Sequence, residues 1–171
     1  MKKHITQRGF TLLIAALVSS IVLALASAIF SIAQKQVILA SLSQQSQYAF
    51  YAADTMAECA LYWDTRYGYF APTTPSGAAL PYPPTCDGQS IALATALVGQ
   101  SYPYTITYPQ IPQVNLGGGK YCAQLTVTQT QDNSTVPATI RTNIHADGFN
   151  VSCGTIGTSR TALERSVELN Y

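Results

Sequence analysis

The residues able to do covalent or acid–base chemistry are few and scattered. They are four cysteines (Cys59, Cys86, Cys122 and Cys153), eight acids, and two histidines, of which only His145 lies beyond the first ten residues. Successive cysteines are 27, 36 and 31 residues apart without a C-x-x-C pair, and His145 has no histidine near it, so no metal site is expected. His145 and Asp147 occupy alternate positions of one strand face and could, with a serine, imitate a hydrolase triad. No G-x-S-x-G elbow accompanies them, and a lone surface histidine is the commoner reading. Gly117-Gly118-Gly119-Lys120 looks like part of a phosphate loop. The Walker pattern, however, needs glycine where Val114 stands and Ser or Thr where Tyr121 stands, so the run reads as a turn ahead of a strand. With no acid, base and nucleophile that can be grouped, neither a cofactor nor an enzyme is expected. Asn133-Ser134-Thr135 and Asn150-Val151-Ser152 match glycosylation sequons, which recur by chance.

The cysteines fit a structural role better. If their segment lies outside the cytoplasm, oxidising conditions favour two disulfides among three connectivities. Sequential pairing, Cys59 with Cys86 and Cys122 with Cys153, closes the shortest loops. Strand parity counts against the second pair, because Cys122 is opposite in phase to Leu125 whereas Cys153 shares the phase of Val151.

Which side of a membrane these residues occupy is set by the N-terminal third. At 171 residues the chain holds at most one ordinary core plus an appendage. Only 10% of residues are charged, far below the roughly 25% usual in soluble domains. A formal net charge of +1 provides no general attraction for nucleic acid. The charge is uneven: Lys2, Lys3 and Arg8 fall in the first nine residues, and removing these three takes +1 to −2. From Phe10 to Ala33 run 24 residues without a charge, Pro, Gly, Asn or Gln. As a helix this stretch is about 36 Å long, enough for a bilayer core of about 30 Å. The basic residues ahead of it predict a single-pass segment with the N-terminus in the cytoplasm and the rest across the inner membrane.

The helical pattern continues beyond the span. Ile38, Leu42, Gln45, Ala49, Ala52, Met56, Cys59 and Trp63 form one stripe at spacings of four and three, with Gln44, Gln47, Asp54, Glu58 and Asp64 mostly off it. All nine prolines fall at Pro72 or later, and every glycine but Gly9 at Gly68 or later, so nothing breaks residues 10–67. A Tyr-, Pro- and Ser-rich connector follows from about Tyr67 to Pro84. Strand alternation then appears at Tyr104, Ile106 and Tyr108; at Ala123, Leu125 and Val127; at Ile140, Ile144 and Ala146; and at Leu163, Val167, Leu169 and Tyr171. A bulge or turn at Gly148 would explain why Phe149 and Val151 take the other parity. The expectation is an α+β chain: residues 1–9 a leader, 10–33 a transmembrane helix, 34–66 its outer continuation, and 67–171 a connector and head of three or four antiparallel strands. Tyr67, Tyr69, Tyr82, Tyr102, Tyr104 and Tyr108 crowd the Pro-rich segments and would serve packing or recognition.

A short basic leader ending in Gly9, then Phe10-Thr11-Leu12-Leu13, a long apolar helix and a β-rich head together resemble type IV pilins and pseudopilins. Gln47-Tyr48-Ala49-Phe50-Tyr51-Ala52-Ala53-Asp54 is similar to the Ala-Phe-x-Ala-Ala-Glu segment of PilX-type minor pilins, with Asp54 in place of Glu. The two matches cover about residues 1–64. The resemblance implies that a prepilin peptidase cuts between Gly9 and Phe10 and methylates the new amine. It also implies that the helix packs with other pilin subunits in a cell-surface filament. Most pilins carry Glu five residues after the cut, where this chain has Ile14; that departure fits PilX-type minor pilins and the tip pseudopilin of type II secretion rather than a major subunit. Two readings compete. Ala26-Ser27-Ala28 has the form that signal peptidase recognises. Alternatively, an uncleaved anchor would hold an extracellular binding domain that never polymerises.

Overall fold

The computed structural model describes residues 8–71, 83–93, 97 and 100–171. One helix, α1 (Arg8–Tyr67), is followed by strands β1 (Thr85–Cys86), β2 (Gln89–Ser90), β3 (Tyr104–Ile106), β4 (Val114–Leu116), β5 (Tyr121–Asp132), β6 (Thr139–Phe149) and β7 (Glu164–Asn170), with a short 3₁₀ turn at Cys153–Thr155. The chain divides into two units, Met1–Ser43 and Gln44–Tyr171.

Unbroken by Pro or Gly, α1 ends where Gly68 takes φ +59°, and the Gly68 N–H donates to Asp64 O at 2.7 Å, a left-handed C-cap that Cβ-bearing residues disfavour. In the first unit the serine hydroxyls turn back onto the helix. Ser19, Ser20, Ser27 and Ser31 donate to the carbonyls of Ala15, Leu17, Ala24 and Ala28 at 2.6 to 2.9 Å, which makes them compatible with an apolar surrounding.

In the second unit, the part of α1 from Gln44 onward packs on one face of an antiparallel sheet ordered β3-β5-β6-β7. Five strands form this sheet rather than three or four. β4 also pairs with β5, opposite Tyr121 to Ala123, while β3 pairs further along at Val127 to Gln129. Strand β3 stops at Ile106, leaving Tyr108 exposed in a turn. The alternation expected for β5 holds: Ala123, Leu125 and Val127 are buried, and Gln124, Thr126 and Thr128 face outward.

Gly148 is not a bulge. The β5–β6 register runs unbroken from Cys122↔Phe149 to Asp132↔Thr139. A Cβ on Gly148 would lie 2.1 Å from Ala49 O and 2.3 Å from Ala53 N, so glycine is required because helix backbone touches strand backbone there. Buried Ala49, Ala52, Ala53, Ala57 and Ala60 line the helix where it meets the sheet. Both sequential disulfides form, Cys59–Cys86 and Cys122–Cys153. The parity objection to the second fails because Cys153 lies in the 3₁₀ turn, past the end of β6, where strand phase no longer directs its side chain.

Candidate functional site

The first unit presents the largest functional feature, an apolar helix with no intramolecular cover. From Phe10 to Ile32 its large apolar side chains are 45–72% exposed, and α1 is long and apolar enough to cross a membrane. Gly9 and Phe10 lie in the first turn of α1, while Lys2, Lys3 and the other residues before Arg8 lie outside the described residues. Ile14 is exposed among apolar neighbours, and the stretch from Phe10 to Ala33 contains no acid.

The second unit buries one charged residue that the stripe reading left off the core. Asp64 is 9% exposed at the last turn of α1. Its Oδ1 accepts from the Phe70 N–H (3.2 Å), and its Oδ2 accepts from the hydroxyls of Tyr171 (2.6 Å) and Thr142 (3.4 Å). Gln129 Nε2 donates to both oxygens, at 3.5 and 3.3 Å. Among the described residues no cationic side chain pairs with Asp64, so hydrogen-bond donors meet its charge. Next to this cluster the Tyr104 hydroxyl donates to Phe70 O at 2.5 Å and lies as close to Gln129 Oε1. Burial raises the proton affinity of the Tyr104 phenol well above its ordinary value, and the fields of Tyr102 and Asp64 add to the rise. Tyr171 is shifted the same way, by burial of its hydroxyl first and by its bond to Asp64 second. The network joins the end of α1 to β5, β6 and the residue after β7.

His145 and Asp147 do share a face, with Nε2 and Oδ1 3.0 Å apart, and Ser166 completes the residue set. The connectivity is wrong for a triad. The Ser166 hydroxyl donates to Asp147 Oδ1 at 2.6 Å instead of to the imidazole, so in this arrangement the histidine is not placed to take its proton. Gly117, Gly118 and Gly119 all have positive φ and lead into β5, not into a helix whose N-terminus could hold phosphate. Among the described residues no three His, Cys, Asp or Glu gather to hold a metal. The Asn150 amide donates to Gln45 Oε1 and Thr161 O, tying a loop to the helix.

Most of the crowded tyrosines pack inward. Tyr69 and Tyr104 are buried, Tyr67 stacks on Trp63 with centroids 5.1 Å apart, and Tyr102 packs beside Tyr104; Tyr82 lies outside the described residues. Tyr48, Tyr51 and Tyr121, which the sequence did not mark as a group, converge beside the glycine turn. Their signal was the i, i+3 spacing of Tyr48 and Tyr51 on α1; nothing local pointed to Tyr121.

No protein-family model, curated protein or solved structure matches this chain.

Proposed function

We propose that the chain is a non-enzymatic minor subunit of a type IV pilin-like filament. In this reading the leader is removed at Gly9, and Phe10–Ala33 first anchors the subunit in the inner membrane with the head outside. The span then packs among the helices of other subunits. The observation that carries the reading is a single helix with large uncovered apolar side chains in its first half and a disulfide-bonded α+β head built on its second. Lipid and neighbouring apolar helices are the two surroundings in which such a stretch is stable.

Ile14 supports a minor place. In the resembling family the acid at this position meets the free amine of a neighbouring subunit within the apolar bundle, where an unpaired charge costs several kcal/mol. Ile14 cannot neutralise an amine, so the subunit belongs where it need not, at or near the tip, in low copy, helping to start assembly. Its own Phe10 amine can still pair with an acid on another subunit.

Mass spectrometry of the mature protein tests the reading. A chain that begins at methylated Phe10 is expected. One that begins at Ile29 overturns it in favour of signal peptidase, and an uncleaved chain favours the anchored binding domain. Stoichiometry in sheared filaments tests the tip assignment, which abundance equal to the main subunit would overturn.

A further inference from the structure

Between the Gln44–Tyr67 part of α1 and the glycine turn lies a cavity of about 280 Å³. Three of its lining residues are tyrosines, Tyr48, Tyr51 and Tyr121, and the others include Thr55, Asp87 and Gly117. We propose that this cavity is a binding site for a small organic cation bearing an alkylammonium group. The proposal is independent of the filament reading and concerns the head alone.

The polar equipment of the cavity decides the ligand class. None of the lining side chains carries an N–H donor; what they supply is one carboxylate, hydroxyls and aromatic faces. An anion would find no positively charged side chain among them. A cation finds both of its usual partners, the Asp87 carboxylate and the negative face of the exposed Tyr51 ring, which attracts within about 6 Å of the centroid. Small-molecule pockets run from about 300 to 1,000 Å³, so this one suits a head group rather than a larger molecule.

Contacts within the head hold the walls in place and take up the ring faces of Tyr48 and Tyr121, so that Tyr51 and the Asp87 carboxylate are the groups left open. The rings of Tyr48 and Tyr121 stack with centroids 5.1 Å apart and planes 23° from parallel, and Gln44 Nε2 donates to the Tyr48 hydroxyl at 3.0 Å. Tyr51, one turn further along the helix, is 61% exposed. Asp87 sits at φ +48°, and its Oδ2 accepts from the Gly117 N–H at 2.9 Å, while among the described residues no donor meets Oδ1. At Gly117 a Cβ would come within 2.9 Å of the Tyr121 ring, so the turn must be glycine for the ring to lie where it does. Lys120 forms no ion pair with Asp87.

The test uses the full chain in uncharged maltoside micelles. Choline chloride is titrated at constant ionic strength, and its trimethylammonium protons are followed by saturation-transfer and shift measurements. The neutral isostere 3,3-dimethylbutan-1-ol and phosphocholine serve as parallel probes. Saturable binding of choline is expected, with the isostere binding much more weakly. Phosphocholine binding as well would assign the site to a head group, whereas its exclusion would assign it to a free alkylammonium ion. Asp87→Asn keeps the turn, since Asn tolerates positive φ and can still accept from Gly117, but removes the charge. It and Tyr51→Ala, at an exposed position, should each weaken choline by about two- to thirtyfold while the head's unfolding transition stays in place. Equal binding of the neutral isostere, or choline binding unchanged in both variants, would overturn the proposal.

Discussion

Residues 10–43 and 44–67 form one helix, but they use apolar side chains in opposite ways. The first stretch carries Leu, Ile, Val and Phe, with Leu12 72% and Ile29 67% exposed. The second gathers its five alanines on the face toward the sheet, with Ala49, Ala53, Ala57 and Ala60 wholly buried, whereas the seven alanines of the first stretch are all exposed. The difference is one of where the small side chains fall more than of hydrophobicity. A small side chain lets the helix backbone come down onto Gly148, and further along the helix Met56 and Trp63 join the same core. Large side chains around the whole circumference leave no face on which a sheet could settle that closely. They suit a surrounding that supplies apolar contact from every direction.

If burial through small residues defines the second stretch, crowding the contact should damage it most. Gly148→Leu is expected to destabilise the head by more than about 3 kcal/mol and prevent native folding, because backbone atoms, not flexible side-chain ends, block the new side chain. Circular dichroism and disulfide mapping of the purified variant would check this; a native-like melting curve would contradict the close approach. Next in size, replacing Cys59 and Cys86 together by Ser should cost about 2 to 4 kcal/mol, measured by denaturant unfolding of the oxidised proteins. In wild-type protein exported from cells, alkylation before reduction should find no free thiol.

A smaller loss, about 1 to 3 kcal/mol, is expected for Asp64→Ala, which strands the donors of Tyr171, Thr142, Gln129 and Phe70. The same network sets the alkaline limit. The phenols of Tyr104 and Tyr171 hold their protons more tightly folded than unfolded, so their contribution is complete below about pH 10 and is lost as pH rises through the folded values. Stability should therefore be level through neutral pH and fall above about pH 10, less steeply in Tyr171→Phe. In acid the sign reverses. Bonds from Ser134 first and Arg141 second lower Asp132 to about 2, so a small contribution at the β5–β6 turn is present above its unfolded value and disappears as pH falls towards 2. The smallest effect sharpens the comparison from the other side. Leu17→Ala, at a 54% exposed position, should leave head unfolding within about 0.5 kcal/mol of wild type while weakening partition into bilayer vesicles, measured by flotation.

By itself the sequence determined what depends on neighbours along the chain. The absence of Pro and Gly between residues 10 and 67 dictates a continuous helix, 24 uncharged residues dictate a span of membrane length, and period-two alternation marks β5, β6 and β7. An α+β class follows from these local rules. What only the tertiary structure decided are relations between distant residues. Asp64 reads as one more polar residue near the helix end, since the side-chain donors that make it a buried anchor stand 65, 78 and 107 positions away. Gly148 reads as a bulge until the helix backbone is placed against it. Cys153 reads as out of phase until the chain is seen to leave the strand before reaching it, and the three-residue strand β4 is too short to show a period of its own. In each case the deciding energy comes from a contact between segments that folding brings together, and a local pattern carries no record of it.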